Sequence, residues 1–365
     1  MKSSLSPSKN YSLTADVIRV FAILGVVSIH ILIAVYHRAD FLGGKIWWVT
    51  NLLNTLFRPA IPLFVMLSGY LLIPKMESIK KLLDRIIYRL GVPLLSFMLI
   101  FKFWNGGHLS FFNLKYSRLF FSLINVNVDI LYYLIIAIGL YAVLPLIRKK
   151  FLPLNQHRQL LASLVFILIG IGLVGVEYYY QNFFLYSIFL YWLPYLGFFL
   201  MGHVLAKYKL DRPKKIIVFA LYLAAFVATS LLNYQYLAQI NSNNYLSPPG
   251  ALSPYFDFHL SPNQVVLSLT LYLLLFQFSF KNLTKYPLVM KFIQKISKAS
   301  FGIYLLHLLV IAVLEKYLEF SVDSAILPLL PFLCLKFAIV LALAYGLTLI
   351  FKKTPGLKRM IGEKS

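Results

Sequence analysis

The chain has 365 residues, of which 60% are hydrophobic, 16% aromatic and only 13% charged, about half the charged share typical of a soluble domain. This composition excludes a water-soluble fold. The 35 Lys and Arg residues outnumber the 12 Asp and Glu, but they occur in short runs between long apolar stretches, which argues against nucleic-acid binding. The single cysteine, Cys334, excludes an intramolecular disulfide and a cysteine-based metal site.

Ten apolar runs are long enough to cross the hydrocarbon core of a bilayer as helices. The sequence therefore predicts an all-α integral membrane protein that forms a single domain over residues 1–365. The first run is longer than the apolar part of a signal peptide, so we expect a retained helix. The predicted spans are Val17–Tyr36, Ile46–Ile73, Ile86–Phe103, Ile130–Ile147, Leu160–Val176, Ser187–Leu205, Ile216–Leu232, Val265–Phe280, Phe301–Leu318 and Ala325–Phe351.

The loops between these spans differ strongly in positive charge. On the side of the two termini fall 26 of the Lys and Arg residues, and only six fall on the opposite side. Because cytoplasmic loops carry the excess of Lys and Arg, this asymmetry predicts that both termini are cytoplasmic.

Three cations belong to none of these loops and lie within spans, where a charge costs about 2.5–3.5 kcal/mol and suggests function. Arg19 is one turn into its helix, so it either serves a site or extends to the cytoplasmic surface beside Asp16. Arg58 is deep, and two prolines follow it, so we expect irregular backbone that faces protein or water. Lys336 is also deep, and a structural ion pair with Glu315 and a catalytic part are both open.

His30 follows Arg19 by eleven residues in the first span. At about 100° per residue, this spacing is three turns to within roughly 20°, so the two side chains share a helix face. At about 1.5 Å per residue, His30 lies roughly 16 Å farther from the cytoplasm, past the midplane of a core about 30 Å thick. A packing role for His30 is the alternative.

Several segments resemble, in order and spacing, the acyltransferase-3 family of integral membrane acyltransferases. The first is the Arg19-to-His30 spacing in DVIRVFAILGVVSIH. The others are RPAIPLFVMLSGYLL (58–72), KKLLDRIIYRLGVPLL (80–95), ILYYLIIAIGLYAVLP (130–145) and SFGIYLLHLLV (300–310). The chain departs from the family where Ile130 and Tyr132 stand in place of His and Trp.

The resemblance implies ten helices and transfer of an acyl group, most often acetyl, from cytoplasmic acyl-CoA to a hydroxyl of a cell-surface or lipid-linked carbohydrate. It implies a multi-pass protein of the plasma or inner membrane. We expect no appended hydrolase-like domain, no metal ion and no bound cofactor, with acyl-CoA as co-substrate. The expected partners are acyl-CoA, a carbohydrate or glycolipid acceptor and the lipid bilayer, without nucleic acid.

Acyl transfer to oxygen needs a base and a positive group where the oxyanion forms. We assign His30 as the base and Arg58 as the oxyanion stabiliser. Arg19, Arg85 and Arg89 are predicted to bind the phosphates of CoA with planar guanidinium forks, and Arg19 also counts among the catalytic residues. Lipid anchoring is the alternative for Arg85 and Arg89.

Three further residues are candidates for the catalytic chamber, namely Tyr304, His307 and Lys336, and helix packing is the alternative for His307. Ser68 lies in a Ser-Gly pair that favours close helix packing rather than a nucleophile. We predict the segment Asn233–Asn263 to be an outer loop whose Tyr255 and Asp257 face the acceptor, or else a passive cover.

A transporter or flippase for a lipid-linked saccharide is the competing interpretation, with Arg58, Lys336 and His30 as substrate or proton sites. A sensor or scaffold is a third and weaker one. The cytoplasmic Arg cluster favours the transferase, because a CoA site explains it and an alternating-access fold does not require it.

Overall fold

The computed structural model describes residues 12–104, 128–180, 190–241 and 255–363, and within these ranges all regular secondary structure is helical. The α-helices are α1 Leu13–Tyr36, α2 Lys45–Phe57, α3 Ala60–Leu72, α4 Ile79–Asp84, α5 Val92–Trp104, α6 Val128–Lys150, α7 Gln156–Tyr180, α8 Leu196–Leu205, α9 Arg212–Asn241, α10 Pro262–Gln277, α11 Pro287–Leu318, α12 Leu329–Lys353 and α13 Leu357–Met360.

Nine helices or continuous helical segments in the described ranges are long and apolar enough to cross a membrane. They correspond to nine of the ten predicted spans, and the chain is a multi-pass membrane protein. The described part of the sixth predicted span is instead a shorter apolar helix, Leu193–Leu205. Every side chain from Leu196 to Val204 in it is buried, so protein rather than lipid surrounds this segment and the thickness of the bilayer does not set its length.

The short helix α8 packs most closely against α3 through two glycines. A Cβ atom placed on Gly69 would lie 1.8 Å from the backbone oxygen of Phe199, and one placed on Gly202 would lie 1.8 Å from the backbone oxygen of Met66. Only hydrogen at these positions permits such an approach, as in other membrane helix pairs with small residues at the contact. The packing interpretation of the Ser68–Gly69 pair is confirmed for Gly69.

Helix α1 lies in the interior of the bundle against α2, α3, α11 and α12. Near the start of α1, Arg19 donates to the Ser297 hydroxyl of α11 at 2.7 Å. Farther along both helices, the His30 ring lies 5.2 Å from the His307 ring, measured between centroids. Residue numbers rise on both helices from the first contact to the second, so α1 and α11 run parallel. His30 is displaced from Arg19 along the bundle, as the sequence predicts.

Two breaks in helical geometry occur beside predicted site residues. Between α2 and α3 the chain leaves the α-helix at Arg58 and Pro59, which confirms the irregular backbone expected there. Between α4 and α5, a π-helix spans Arg85–Gly91. Such segments are rare and occur frequently at functional sites.

The predicted loop from 233 to 263 is wrong in its extent. Helix α9 continues to Asn241, a 3-10 turn covers Tyr255–Asp257, and α10 already begins at Pro262. Residues 242–254 lie outside the described part. The helix persists past Asn233 because this residue is fully buried and its amide is hydrogen-bonded to side chains of neighbouring elements, so its polarity does not mark a helix end.

Candidate functional site

A cavity of about 670 Å³ opens at the end of the bundle where α1 begins. Its wall contains the cations Arg19, Lys75, Arg85 and Arg89. Tyr304 of α11 also lines it. The structure therefore brings all three arginines predicted to bind phosphates into one cavity.

Arg19 is held in place by partners on two helices. Its Nη1 atom donates to the Asp16 carboxylate and to the Ser297 hydroxyl, both at 2.7 Å, and Ser297 in turn donates to Asp16 at 2.6 Å. The predicted contact with Asp16 is confirmed. Because one guanidinium nitrogen makes both contacts, the remaining donors of Arg19 are available to a ligand in the cavity.

Arg85 is oriented by a carboxylate in the connection between α3 and α4. Both terminal nitrogens of Arg85 contact Glu77, at 2.6 and 2.7 Å, and Lys75 contacts the same carboxylate at 2.9 Å. Burial raises the pKa of Glu77, but the hydrogen bond from Lys75 and the charge of Arg85 outweigh it and hold this pKa below its ordinary value. The end-on pairing leaves the Nε edge of Arg85 free for a second anion.

His307 lies three residues beyond Tyr304 on α11, about 4.5 Å deeper in the bundle. Its Nδ1 atom is 2.7 Å from the carbonyl oxygen of Tyr304 and 3.1 Å from that of Ile303. Since both partners are acceptors, Nδ1 carries the proton in a neutral ring, and Nε2 is the unprotonated nitrogen. Nε2 is buried and has no hydrogen-bond partner among the described residues, so it is able to accept a hydrogen bond or a proton.

His30 contacts the His307 ring from α1, so the two histidines form a pair in the interior. Arg58 lies close enough to His30 to act on it electrostatically. The Nε atom of Arg58 is buried and makes no hydrogen bond within the described residues. Two imidazoles in contact and a nearby cation with a free Nε–H group are therefore grouped in the interior of the bundle.

The charge of Arg58 is balanced by Asp257, whose side chain is completely buried. The two groups are joined at 2.5 Å. Asn233 donates to the same carboxylate at 3.0 Å and Asn54 approaches it at 3.5 Å. Asp257 is therefore the buried counter-ion of Arg58 and is not exposed to water, and its contact with an acceptor stays a prediction.

Two more residues extend this cluster. The Tyr132 hydroxyl lies 3.0 Å from Nε2 of His259, and Arg58 acts electrostatically on His259. Tyr132 is one of the two residues that depart from the family pattern, so this departure falls inside the polar cluster. His259 and Asn54 were not singled out from the sequence, because neither belongs to a motif and their partners lie far away in the sequence.

The other predicted site residues lie elsewhere. Lys336 forms an ion pair with Glu315 at 2.6 Å, which is the structural alternative stated above, and it does not line the described cavity. The ring of Tyr255 packs against Tyr178 of α7 at 5.0 Å.

These features define a polytopic helical membrane protein with a basic cavity at one end of the bundle and a buried polar cluster behind it. The family model of the acyltransferase domain, acyltransferase-3, matches residues 13–349. The chain belongs to the acyltransferase-3 family and is a membrane acyltransferase. No curated protein and no solved structure matches it.

Proposed function

We propose that the protein transfers an acyl group, most often acetyl, from acyl-CoA to a hydroxyl of a cell-surface or lipid-linked carbohydrate. The observation that carries this proposal is the order of the groups: three arginines line a cavity that reaches Tyr304, and the His30–His307 pair lies directly behind it. Membership of the acyltransferase-3 family favours this function over the transporter or flippase.

The donor occupies the cavity with its phosphates at Arg19, Arg85 and Arg89. Planar guanidinium groups bind phosphate oxygens in pairs, and the fixed orientation of Arg19 and Arg85 lowers the entropy lost on binding. The thioester end of the donor then points toward Tyr304 and the histidines.

In the reaction, His30 accepts the proton of the acceptor hydroxyl as the oxygen attacks the thioester carbonyl. Arg58 stabilises the resulting oxyanion through its unused Nε–H group. The carbon–sulfur bond then breaks, and the CoA sulfur takes the proton back from His30. His307, whose Nε2 is unprotonated, stabilises the imidazolium of its neighbour.

In this proposal both termini are cytoplasmic and the protein lies in the plasma or inner membrane. The parallel run of α1 and α11 supports the placement of both termini on one side of the membrane, because parallel spans require an odd number of crossings between them. Counting the short helix Leu193–Leu205 as a crossing brings the described crossings between α1 and α11 to seven.

The donor site is tested by binding of acetyl-CoA to the purified protein in nanodiscs. The double variant Arg85→Ala, Arg89→Ala should lose affinity, and the remaining affinity should fall less steeply with salt. The control is Arg158→Ala, Arg212→Ala, which removes two exposed arginines outside the cavity. Equal binding by both double variants would return Arg85 and Arg89 to the lipid-anchor role.

The base is tested by transfer of labelled acetyl in variants matched for thermal stability. General-base assistance contributes about 10²- to 10⁴-fold in rate, so His30→Gln should lose transfer to this extent while it still binds acetyl-CoA. A packing histidine behaves differently, because an amide of similar size restores packing. Near-normal turnover of His30→Gln would refute the assignment.

A further inference from the structure

Helix α10 carries two buried polar side chains that the chemistry above does not use. Gln264 and Ser268 are both fully buried. Neither the amide nitrogen nor the amide oxygen of Gln264 has a hydrogen-bond partner among the described residues, and the same holds for the Ser268 hydroxyl. A buried amide without partners costs free energy, so its presence indicates a partner that the described side chains do not supply.

The direction of Gln264 follows from its neighbours on the helix. Asn263 donates to Thr229 of α9 at 2.9 Å, while Tyr272 donates to backbone oxygens of Gly202 and Met66 at 3.1 and 3.5 Å. At about 100° per residue, Gln264 points about 100° away from Asn263 and about 80° away from Tyr272. It therefore faces the space between α9 and α3. The α2–α3 junction with Arg58 occupies this space, because α2 packs on α9 and α3 packs on α10.

The depth of Gln264 in the bundle follows from the contact between Tyr272 and Met66. Tyr272 reaches Met66, which lies eight residues after Arg58. Gln264 lies eight residues before Tyr272, and the Arg58–Asp257 pair places the start of α10 beside Arg58. Eight residues rise about 12 Å, so Gln264 and Arg58 lie at the same level, with Ser268 one turn farther toward the cytoplasmic cavity.

We infer that Gln264 and Ser268 form the binding subsite for the hydroxylated acceptor. A primary amide donates and accepts, and a hydroxyl does both as well, so the two side chains match neighbouring hydroxyls of a sugar or other polyol. Neither carries a charge, and the subsite therefore selects neutral hydroxyls rather than a phosphate or a carboxylate. This inference rests on the proposed function and names the acceptor side of the same site.

The first measurement compares the thermal stability of purified variants in nanodiscs. Gln264→Met keeps the side-chain volume and removes an amide without a partner, so the melting temperature should stay the same or rise. Gln277→Met on the same helix is the matched control, because the amide of Gln277 is hydrogen-bonded to Leu210 and Tyr208 at 2.9 and 3.0 Å, and its loss should lower the melting temperature. An equal drop in both variants would show a structural partner for Gln264 and overturn the inference.

The second measurement uses methyl β-D-glucopyranoside as the probe. It should raise the melting temperature of the wild-type protein saturably, and in Gln264→Met the half-saturating concentration should rise about tenfold, as the loss of one or two hydrogen bonds requires. Ser268→Ala should weaken the same response. The same sugar-induced shift in wild type and Gln264→Met overturns the inference.

Acetyl-CoA binding separates the two levels of the proposal. Gln264→Met should bind acetyl-CoA as the wild type does, since Gln264 lies outside the donor cavity. If the wild type fails to bind acetyl-CoA, the proposed function is wrong. If it binds acetyl-CoA and the sugar response is independent of Gln264, only the acceptor subsite is wrong.

Discussion

Removing the cation of the Arg58–Asp257 pair should destabilise the protein far more than removing an exposed one. In Arg58→Met, the Asp257 carboxylate loses its contact at 2.5 Å, while the amides of Asn233 and Asn54 stay beside it at 3.0 and 3.5 Å. Its side chain is completely buried, so water cannot replace the lost partner. Breaking such a pair on one side costs about 3–5 kcal/mol of unfolding free energy.

The matched control is Arg38→Met, which removes an arginine paired with Asp40 and Asp323. The side chains of Arg38, Asp40 and Asp323 are all at least 36% exposed, so this change should lower the unfolding free energy by less than about 1 kcal/mol. The measurement is denaturant unfolding of the purified variants in the same detergent. An Arg58→Met cost no larger than that of Arg38→Met would refute the reasoning.

The double variant Arg58→Met, Asp257→Asn separates stability from chemistry. It removes both charges and keeps polar contacts to Asn233, so it should recover most of the lost unfolding free energy. It should not recover acyl transfer, because the cationic donor near His30 is still missing. Recovery of transfer together with stability would mean that Arg58 has only a structural part.

Three further changes test separate parts of the structure. Because cations hold the pKa of Glu77 below its ordinary value, the stabilising contribution of this carboxylate is complete at neutral pH and is lost as the pH falls through the lowered pKa. The difference in melting temperature between wild type and Glu77→Gln should therefore vanish in acid. A difference that grows in acid would contradict this prediction. In His307→Asn, the side-chain amide still donates to the helix carbonyls while Nε2 is gone, so labelled-acetyl transfer should fall at least about tenfold at unchanged folded yield; normal transfer would assign His307 to packing. Gly69→Ala places a Cβ atom against the Phe199 backbone and should lower the unfolding free energy by about 1–3 kcal/mol. The added Cβ atom of Gly346→Ala meets no atom within 4 Å, so this control should stabilise α12 by up to about 1 kcal/mol. Similar unfolding free energies for the two variants would contradict the close approach of α3 and α8.

The polar residues within apolar spans were predictable one at a time. A charge inside a membrane span is costly enough that Arg19, Arg58 and Lys336 stand out in the sequence. Helical periodicity then puts Arg19 and His30 on one face at different depths. The basic run that contains Arg85 and Arg89 is similarly visible, although the π-helix that carries both residues is not.

Partners that lie far apart in the sequence were not predictable in the same way. Asp257 is separated from Arg58 by 199 positions, and the Ser-Pro pairs at 253–254 and 261–262 on either side of it favour a loop. Gln264 lies in an apolar helix without any motif. In both cases the identity of the packed neighbour decides whether a polar group is exposed, paired or buried without a described partner.

The sequence by itself determined the class of protein, the positions of the spans and the few ionisable residues inside them, because transfer of a side chain into lipid has a large free energy that depends mainly on residue type. The tertiary structure alone decided which of these residues meet. It brings the three arginines to one cavity and places His307 beside His30. It also pairs Arg58 with Asp257 and Lys336 with Glu315 in ion pairs. The physical reason is that the strength of a polar contact depends on distances between helices, and those distances are set by packing details such as Gly69 against Phe199, which no single segment contains.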